Sequence, residues 1–174
     1  MPRLFQSKII GLLALWLCAQ PLWALKSDAD QPVNLESDSA DIDDASRTRI
    51  FTGNVLVTQG SIRVSGDRLE VKELGADPVT NRFVATGRPA RFQQEIDGKP
   101  GELVKGHADR IEYDDNSEFL HLIGNAFLSQ EGDTVRTDRI TYDRVSSLVK
   151  GGASAKGKER VRMVIQSKKD KDAP

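Results

Sequence analysis

The sequence predicts an elongated all-β fold, and three observations carry that reading. The first is internal repetition. Gly53-Asn54 is followed, 14 residues after its Gly, by Asp67-Arg68-Leu69-Glu70-Val71, and Gly124-Asn125 is followed at the same distance by Asp138-Arg139-Ile140-Thr141-Tyr142. Laid over each other without a gap, Gly53 to Val71 and Gly124 to Tyr142 share Gly, Asn, Gln, Val, Asp and Arg. A third copy of the second phrase is Asp109-Arg110-Ile111-Glu112-Tyr113, and Ala40-Asp41-Ile42 reads as a worn fourth. Self-similarity of this kind marks one supersecondary unit stacked on itself. The second observation is an apolar period of two in short runs, with helical periodicity nearly absent. The third is that no βαβ spacing occurs, which sets aside a parallel α/β enzyme.

Taken in chain order, the first element is not part of the fold. Arg3 and Lys8 make a positive start, Ile9 to Cys18 is apolar, and Pro21-Leu22-Trp23-Ala24 ends in a small residue. That is the layout of a secretory signal peptide, residues 1–24, cut after Ala24. The apolar run is too short for a spanning helix, and Leu17 is too large for a lipoprotein signal at Cys18. A single β domain is expected over residues 25–166. Val33 and Leu35 alternate with Asn34 and Glu36; Val55 and Val57 share one face, with Leu56 and Thr58 on the other. Ile62 and Val64 follow, and then Leu69/Val71, Ile111/Tyr113 and Ile140/Tyr142 repeat one arrangement with Arg and Glu or Thr turned away. Val161, Met163 and Ile165 make a last strand. Breaks are expected at Gly60-Ser61, Gly66-Asp67, Gly75 to Pro78, Gly87-Arg88-Pro89, Asp97 to Gly101, Asp114 to Asn116 and Gly132-Asp133. Residues 167–174 are a charged tail, expected to be disordered.

Composition narrows the function classes. The chain carries 25 Lys+Arg against 26 Asp+Glu; without Arg3 and Lys8 the count is 23 against 26, a net charge of −3. That is not a nucleic-acid binder's balance. Cys18 is the one cysteine, so an exported mature chain has no disulfide, thiol nucleophile or thiolate metal site.

A search for chemistry finds little. His107 and His121 fall on different strands without metal-ligand spacing. Asp41, Asp43 and Asp44, and likewise Asp114 and Asp115, lack the ligand ladder of a calcium loop and read as turn chemistry. No G-x-S-x-G elbow, phosphate-cradling loop or dinucleotide fingerprint occurs. The Asp-Arg pair occurs three times, and repetition speaks for structure, since a catalytic pair is needed once and a corner in every repeat. Asp67, Asp109 and Asp138 are therefore expected to cap turns at strand starts, with Arg68, Arg110 and Arg139 pointing outward or lying at the rim. No catalytic residue, metal ligand or cofactor is assigned. Alternation alone leaves open whether the aliphatic faces close as a dry core or stand apart as a groove, and favours the closed core.

Four segments carry a resemblance. They are Asp30 to Asp38, the phrase Phe51-Thr52-Gly53-Asn54-Val55-Leu56-Val57-Thr58-Gln59-Gly60, Gly106-His107-Ala108, and Leu122 to Ala126. From about Asp30 to Lys158 the chain resembles the LptA (OstA-like) family of periplasmic lipopolysaccharide-transport proteins. The stretch Glu73 to Asn81 departs from it. The resemblance implies an antiparallel β-jellyroll twisted into a slightly open V, whose apolar interior receives the acyl chains of lipid A. It implies head-to-tail stacking of copies, with inner-membrane LptC and outer-membrane LptD as partners, in a bridge across the periplasm. By local match the lipid-contacting positions are Val33, Leu35, Phe92 and Tyr113, and Val55, Val57 and Ile111 join them as lipid-binding candidates. The edges expected to meet in stacking are Gln31 to Glu36 and Arg160 to Gln166.

Overall fold

Alternation becomes strand wherever it was read, but the strands are longer than the sequence breaks imply. The structure, a computed structural model, describes residues 28–75, 80–96, 98–152 and 160–167. The expected leader, residues 1–24, and the expected tail beyond Ser167 lie outside the described residues. After a single 3-10 turn at Asp28–Asp30 come β1 (Asn34–Glu36), β2 (Ser39–Asp43), β3 (Thr48–Gln59), β4 (Ile62–Leu74) and β5 (Thr80–Ile96). Then follow β6 (Lys99–Asp114), β7 (Phe119–Gln130), β8 (Asp133–Asp143), β9 (Leu148–Gly151) and β10 (Arg162–Val164). All pairings are antiparallel, in the order β1-β3-β4-β5-β6-β7-β8-β10, with β2 also on β3 and β9 also on β8.

One irregularity crosses the sheet from edge to edge. The register shifts between Thr52 and Val55, Ser65 and Arg68, Thr86 and Ala90, His107 and Arg110, and Ile123 and Ala126. A bulge bends a strand and raises its local twist. A row of bulges in neighbouring strands therefore folds the whole sheet along a line. The result is two half-sheets whose inner faces meet, a jellyroll made from one continuous ladder. One half starts at β2 and ends at β9; the other starts at β1 and ends at β10. Leu69, Ile111 and Ile140 from the β2 half and Val55, Phe92 and Leu128 from the β1 half belong to one core.

The repeated residues build that fold line. Gly53 and Asn54 take φ of 82° and 46°, and Gly124 and Asn125 take 77° and 49°. This left-handed pair is the conformation that Gly and Asn adopt most readily. Asn54 Nδ2 donates to Asp38 Oδ2 at 2.9 Å, and Asn125 Nδ2 donates to Asp109 Oδ2 at 2.8 Å. The fourth copy of the Asp phrase is thus Asp38-Ser39-Ala40, and not Ala40-Asp41-Ile42. Position of the Asp opposite Gly-Asn defines the repeat, and the apolar pattern misled by three residues.

Three further expectations are corrected. Gly66-Asp67 and Gly87-Arg88-Pro89 do not end strands; they lie on the fold line inside β4 and β5. Asp67, Asp109 and Asp138 likewise sit within β4, β6 and β8 and not at strand starts. A bulge and a turn use the same residue types, so composition does not separate them. The last strand is shorter than expected, leaving Val161 and Ile165 outside it, and Val161, Met163, Val164 and Ile165 are all exposed.

Candidate functional site

The two half-sheets do not close evenly. In the middle they are dry: Leu122 and Ile140 have no exposed surface, and Leu128 and Tyr142 are buried beside them. Toward the β1 edge they part around an apolar cavity of about 240 Å³ that opens to solvent. Val57, Ile62, Val64 and Phe92 line it from the β1 half. Leu69, Phe83, Ala85, Ile111 and Leu120 line it from the β2 half. The period of two explains why: each contributes the inward residue of its strand pleat. Val33, 58% exposed, stands at the mouth.

Gln59, Asp115 and Arg144 add a polar side to this wall. Arg144 Nη1 donates to Tyr113 Oη at 2.8 Å and its Nε donates to Gln94 Oε1 at 3.2 Å, tying the β2 half to the β1 half. Its guanidinium carbon lies 5.0 Å from the Tyr113 ring centroid. Burial pushes the Tyr113 hydroxyl above its ordinary pKa, more strongly than Arg144 lowers it. Tyr113 therefore stays neutral and serves as an apolar wall with a polar tip. Asp115 is engaged elsewhere, accepting from Asn81 N at 3.0 Å. A second cavity, also of about 240 Å³, lies under the other end of the roll among Leu128, Val135, Val149 and Met163, with Gln130, Glu131 and Asp133 at its polar side.

Of the residues expected to contact lipid, Val33, Val57, Phe92, Ile111 and Tyr113 line the first cavity. Two do not. Val55 is buried in the core one pleat behind Val57, and Leu35 packs against the core from β1. Leu35 was expected by local match to the family and Val55 as a further inward candidate; Val55 follows the bulge at Gly53-Asn54 and lies in the packed core. Sequence reasoning missed Phe83 and Leu120 in the wall. Alternation with Ala85 on β5 and with Leu122 on β7 was the signal that could have found them.

The outer faces carry the charge. Arg68 meets Glu70 at 3.2 Å, Arg110 meets Glu112 at 2.6 Å, and Arg82 meets the same Glu112 at 2.8 Å. Burial works against the Glu112 charge, but the two arginine hydrogen bonds outweigh it and hold its carboxyl below the usual range. Arg68 and Arg110 thus lie outside the cavity, as expected of rim charges. His121 Nδ1 lies 3.0 Å from Thr141 Oγ1, and His107 stacks on Phe127 with centroids 4.8 Å apart. Burial lowers both histidine pKa values. Among the described residues no group of three or more His, Cys, Asp or Glu could hold a metal ion.

Comparison with known proteins decides the family. Residues 34–147 match the family described as LptA/(LptD N-terminal domain) LPS transport protein. The chain belongs to this family. Over 123 residues it is 39% identical to the lipopolysaccharide export system protein LptA of Escherichia coli K12, a match that takes in 70% of this chain and 65% of that protein. The chain thus spans somewhat less than two thirds of that relative's length. It is 35% identical to the LptA of Haemophilus influenzae over 165 residues, 94% of this chain and 93% of the relative. A crystal structure of Pseudomonas aeruginosa LptH, described as the LptA-homologous periplasmic component of the lipopolysaccharide transport device, superposes with a TM-score of 0.73 at 28% identity. That match takes in 82% of this chain and all of the LptH chain. The family-matched segment opens with β1 and closes just after β8, so it contains the fold line and all but the last strand of each half-sheet.

Proposed function

We propose that this chain binds lipopolysaccharide by taking lipid A acyl chains into the cavity between its half-sheets, and passes it across the periplasm within a head-to-tail bridge. The observation that carries the reading is the cavity itself. A chain of this family holds about 240 Å³ of apolar space, open to solvent, between two otherwise dry half-sheets. A ligand-free scaffold would gain by closing that space, because unfilled apolar walls forfeit packing. Each methylene that enters is worth about 0.8 kcal/mol, so an acyl chain of about twelve carbons gives roughly 10 kcal/mol before costs. Such a chain leaves the cavity readily only when another apolar surface replaces the one it loses.

The lipid-contacting set is Val33, Val57, Phe92, Ile111 and Tyr113, with Leu35 and Val55 backing the wall. The periplasm is the compartment, supported by the signal-like leader and by the periplasmic description of LptH. Copies stack through the two terminal edges of the sheet, with inner-membrane LptC and outer-membrane LptD at the ends of the bridge. The family description pairs LptA with the N-terminal domain of LptD, and β1 and β10 each have a strand on one side only. The chain acts by binding and not by catalysis, in keeping with relatives named for export.

A photo-crosslinking residue in place of Phe92 or Tyr113 should capture lipopolysaccharide from the purified protein, and one in place of Arg68 should not. Equal capture at all three positions, or none at the two inward ones, overturns the assignment.

A further inference from the structure

The two terminal edges of the sheet carry opposite charge. Between Asp28 and Ser46, the stretch holding β1 and β2, there are seven carboxylates and no Lys or Arg. Glu36, Asp41 and Asp44 are exposed there, and none is in an ion pair with another described residue. At the opposite edge, the described residues from Val145 to Gly152 and from Arg160 to Ser167 hold three cations and no carboxylate. Lys150, Arg160 and Arg162 are exposed and likewise have no ion pair within the described chain. The central outer face behaves differently, since Arg68, Arg82 and Arg110 each have a carboxylate partner.

The topology makes this segregation directional. One half-sheet begins at β1 and ends at β10, and the other begins at β2 and ends at β9. If a second copy continues the sheet, its β1 lies beside β10 and its β2 beside β9. Acidic strand then meets basic strand in both half-sheets at once: Glu36 on the side of Arg162, and Asp41 and Asp44 on the side of Lys150. The symmetric alternatives place carboxylates against carboxylates or cations against cations, in both halves. Backbone ladders alone do not choose, because any exposed edge accepts any strand. Like charges set opposite one another supply the rejection that specificity needs.

We propose that the acidic β1–β2 edge and the basic β9–β10 edge form a charge code that selects head-to-tail pairing of identical copies and rejects head-to-head and tail-to-tail pairing. The occupant of each edge is the opposite edge of a second copy. This rests on the head-to-tail reading above and adds what enforces its direction.

Light scattering on the purified protein tests both layers. The wild-type chain should form species larger than a monomer at about 50 mM salt, with association at least tenfold weaker at about 500 mM, where exposed charges are screened within a few ångströms. The variant D41K/D44K and the variant R160E/R162E should each remain monomeric alone. Mixing the two should restore association, since the native β9–β10 edge of D41K/D44K then meets the native β1–β2 edge of R160E/R162E. If the wild type associates but salt and both variants leave it unchanged, the charge code is wrong while edge pairing stands. If the wild type is monomeric at every salt concentration, the head-to-tail reading fails and the code with it.

Discussion

Gly124 shows how one residue sets the path of a strand. Its φ of 77° is left-handed, and a Cβ there would lie 2.6 Å from Asp109 Oδ2, the atom that Asn125 needs. Gly98 has a similar φ of 73° with nothing within 4 Å of its absent Cβ. Gly98→Ala should therefore cost about 1 kcal/mol for the backbone conformation alone. Gly124→Ala adds a clash in the corner and should cost about 3 kcal/mol. Urea midpoints separate the two variants, and equal losses would mean that the Asp-Asn contact is not what fixes the fold line. The Gly-Asn and Asp phrases were legible in the sequence because they repeat. Their joint role was not, since Asp38 and Asn54, or Asp109 and Asn125, are 16 residues apart and meet only across a pair of strands.

At the scale of the element, cross-strand rows decide what a side chain experiences. His107 on β6 faces Arg91 on β5 and Phe127 on β7, whose own neighbour is Arg136 on β8. The Arg136 guanidinium carbon lies 4.5 Å from the Phe127 centroid. Burial, and then the charges of Arg91 and Arg136, hold the His107 pKa below its ordinary value of 6.5. The unfolded chain therefore takes up this proton first as pH falls. His107 contributes stability above about pH 6.5 and loses it as pH drops through the folded value. His107→Phe should narrow the difference in Tm between about pH 7.5 and about pH 5, and an unchanged difference would remove His107 from the acid sensitivity. Strand existence was legible from alternation, including the inward set Leu69, Ile111 and Ile140. Strand length was not. A bulge carries the residues of a turn, and only the continuation of pairing on both sides, as in β4 and β5, tells the two apart.

For the whole molecule, the question is where two similar inner faces touch and where they part. Leu122 and Ile140 meet without remaining surface, whereas the walls around Val57 and Phe83 stand around an open cavity. Filling that space from the mouth separates binding from folding. Val57→Phe should reduce lipopolysaccharide retention severalfold while thermal unfolding stays cooperative, because the added ring enters space that is already empty. Undiminished retention in a folded Val57→Phe protein would place the lipid elsewhere. The two cavities lie toward opposite ends of the roll with packed core between them. A lipid that travels the length of the molecule must therefore displace side chains such as Leu122 on its way.

The sequence by itself determined that this chain is β throughout its described length, that it repeats, and which residues of each strand point inward, because strand periodicity and backbone conformation are local properties. Tertiary structure alone decided that the repeated corners align into one fold line, that Val55 and Leu35 back the wall while Phe83 and Leu120 form it, and that the interior is dry in the middle. The physical reason is that spacing between two half-sheets depends on how bulges in successive strands add up. That sum is a property of the assembled ladder and of no single segment.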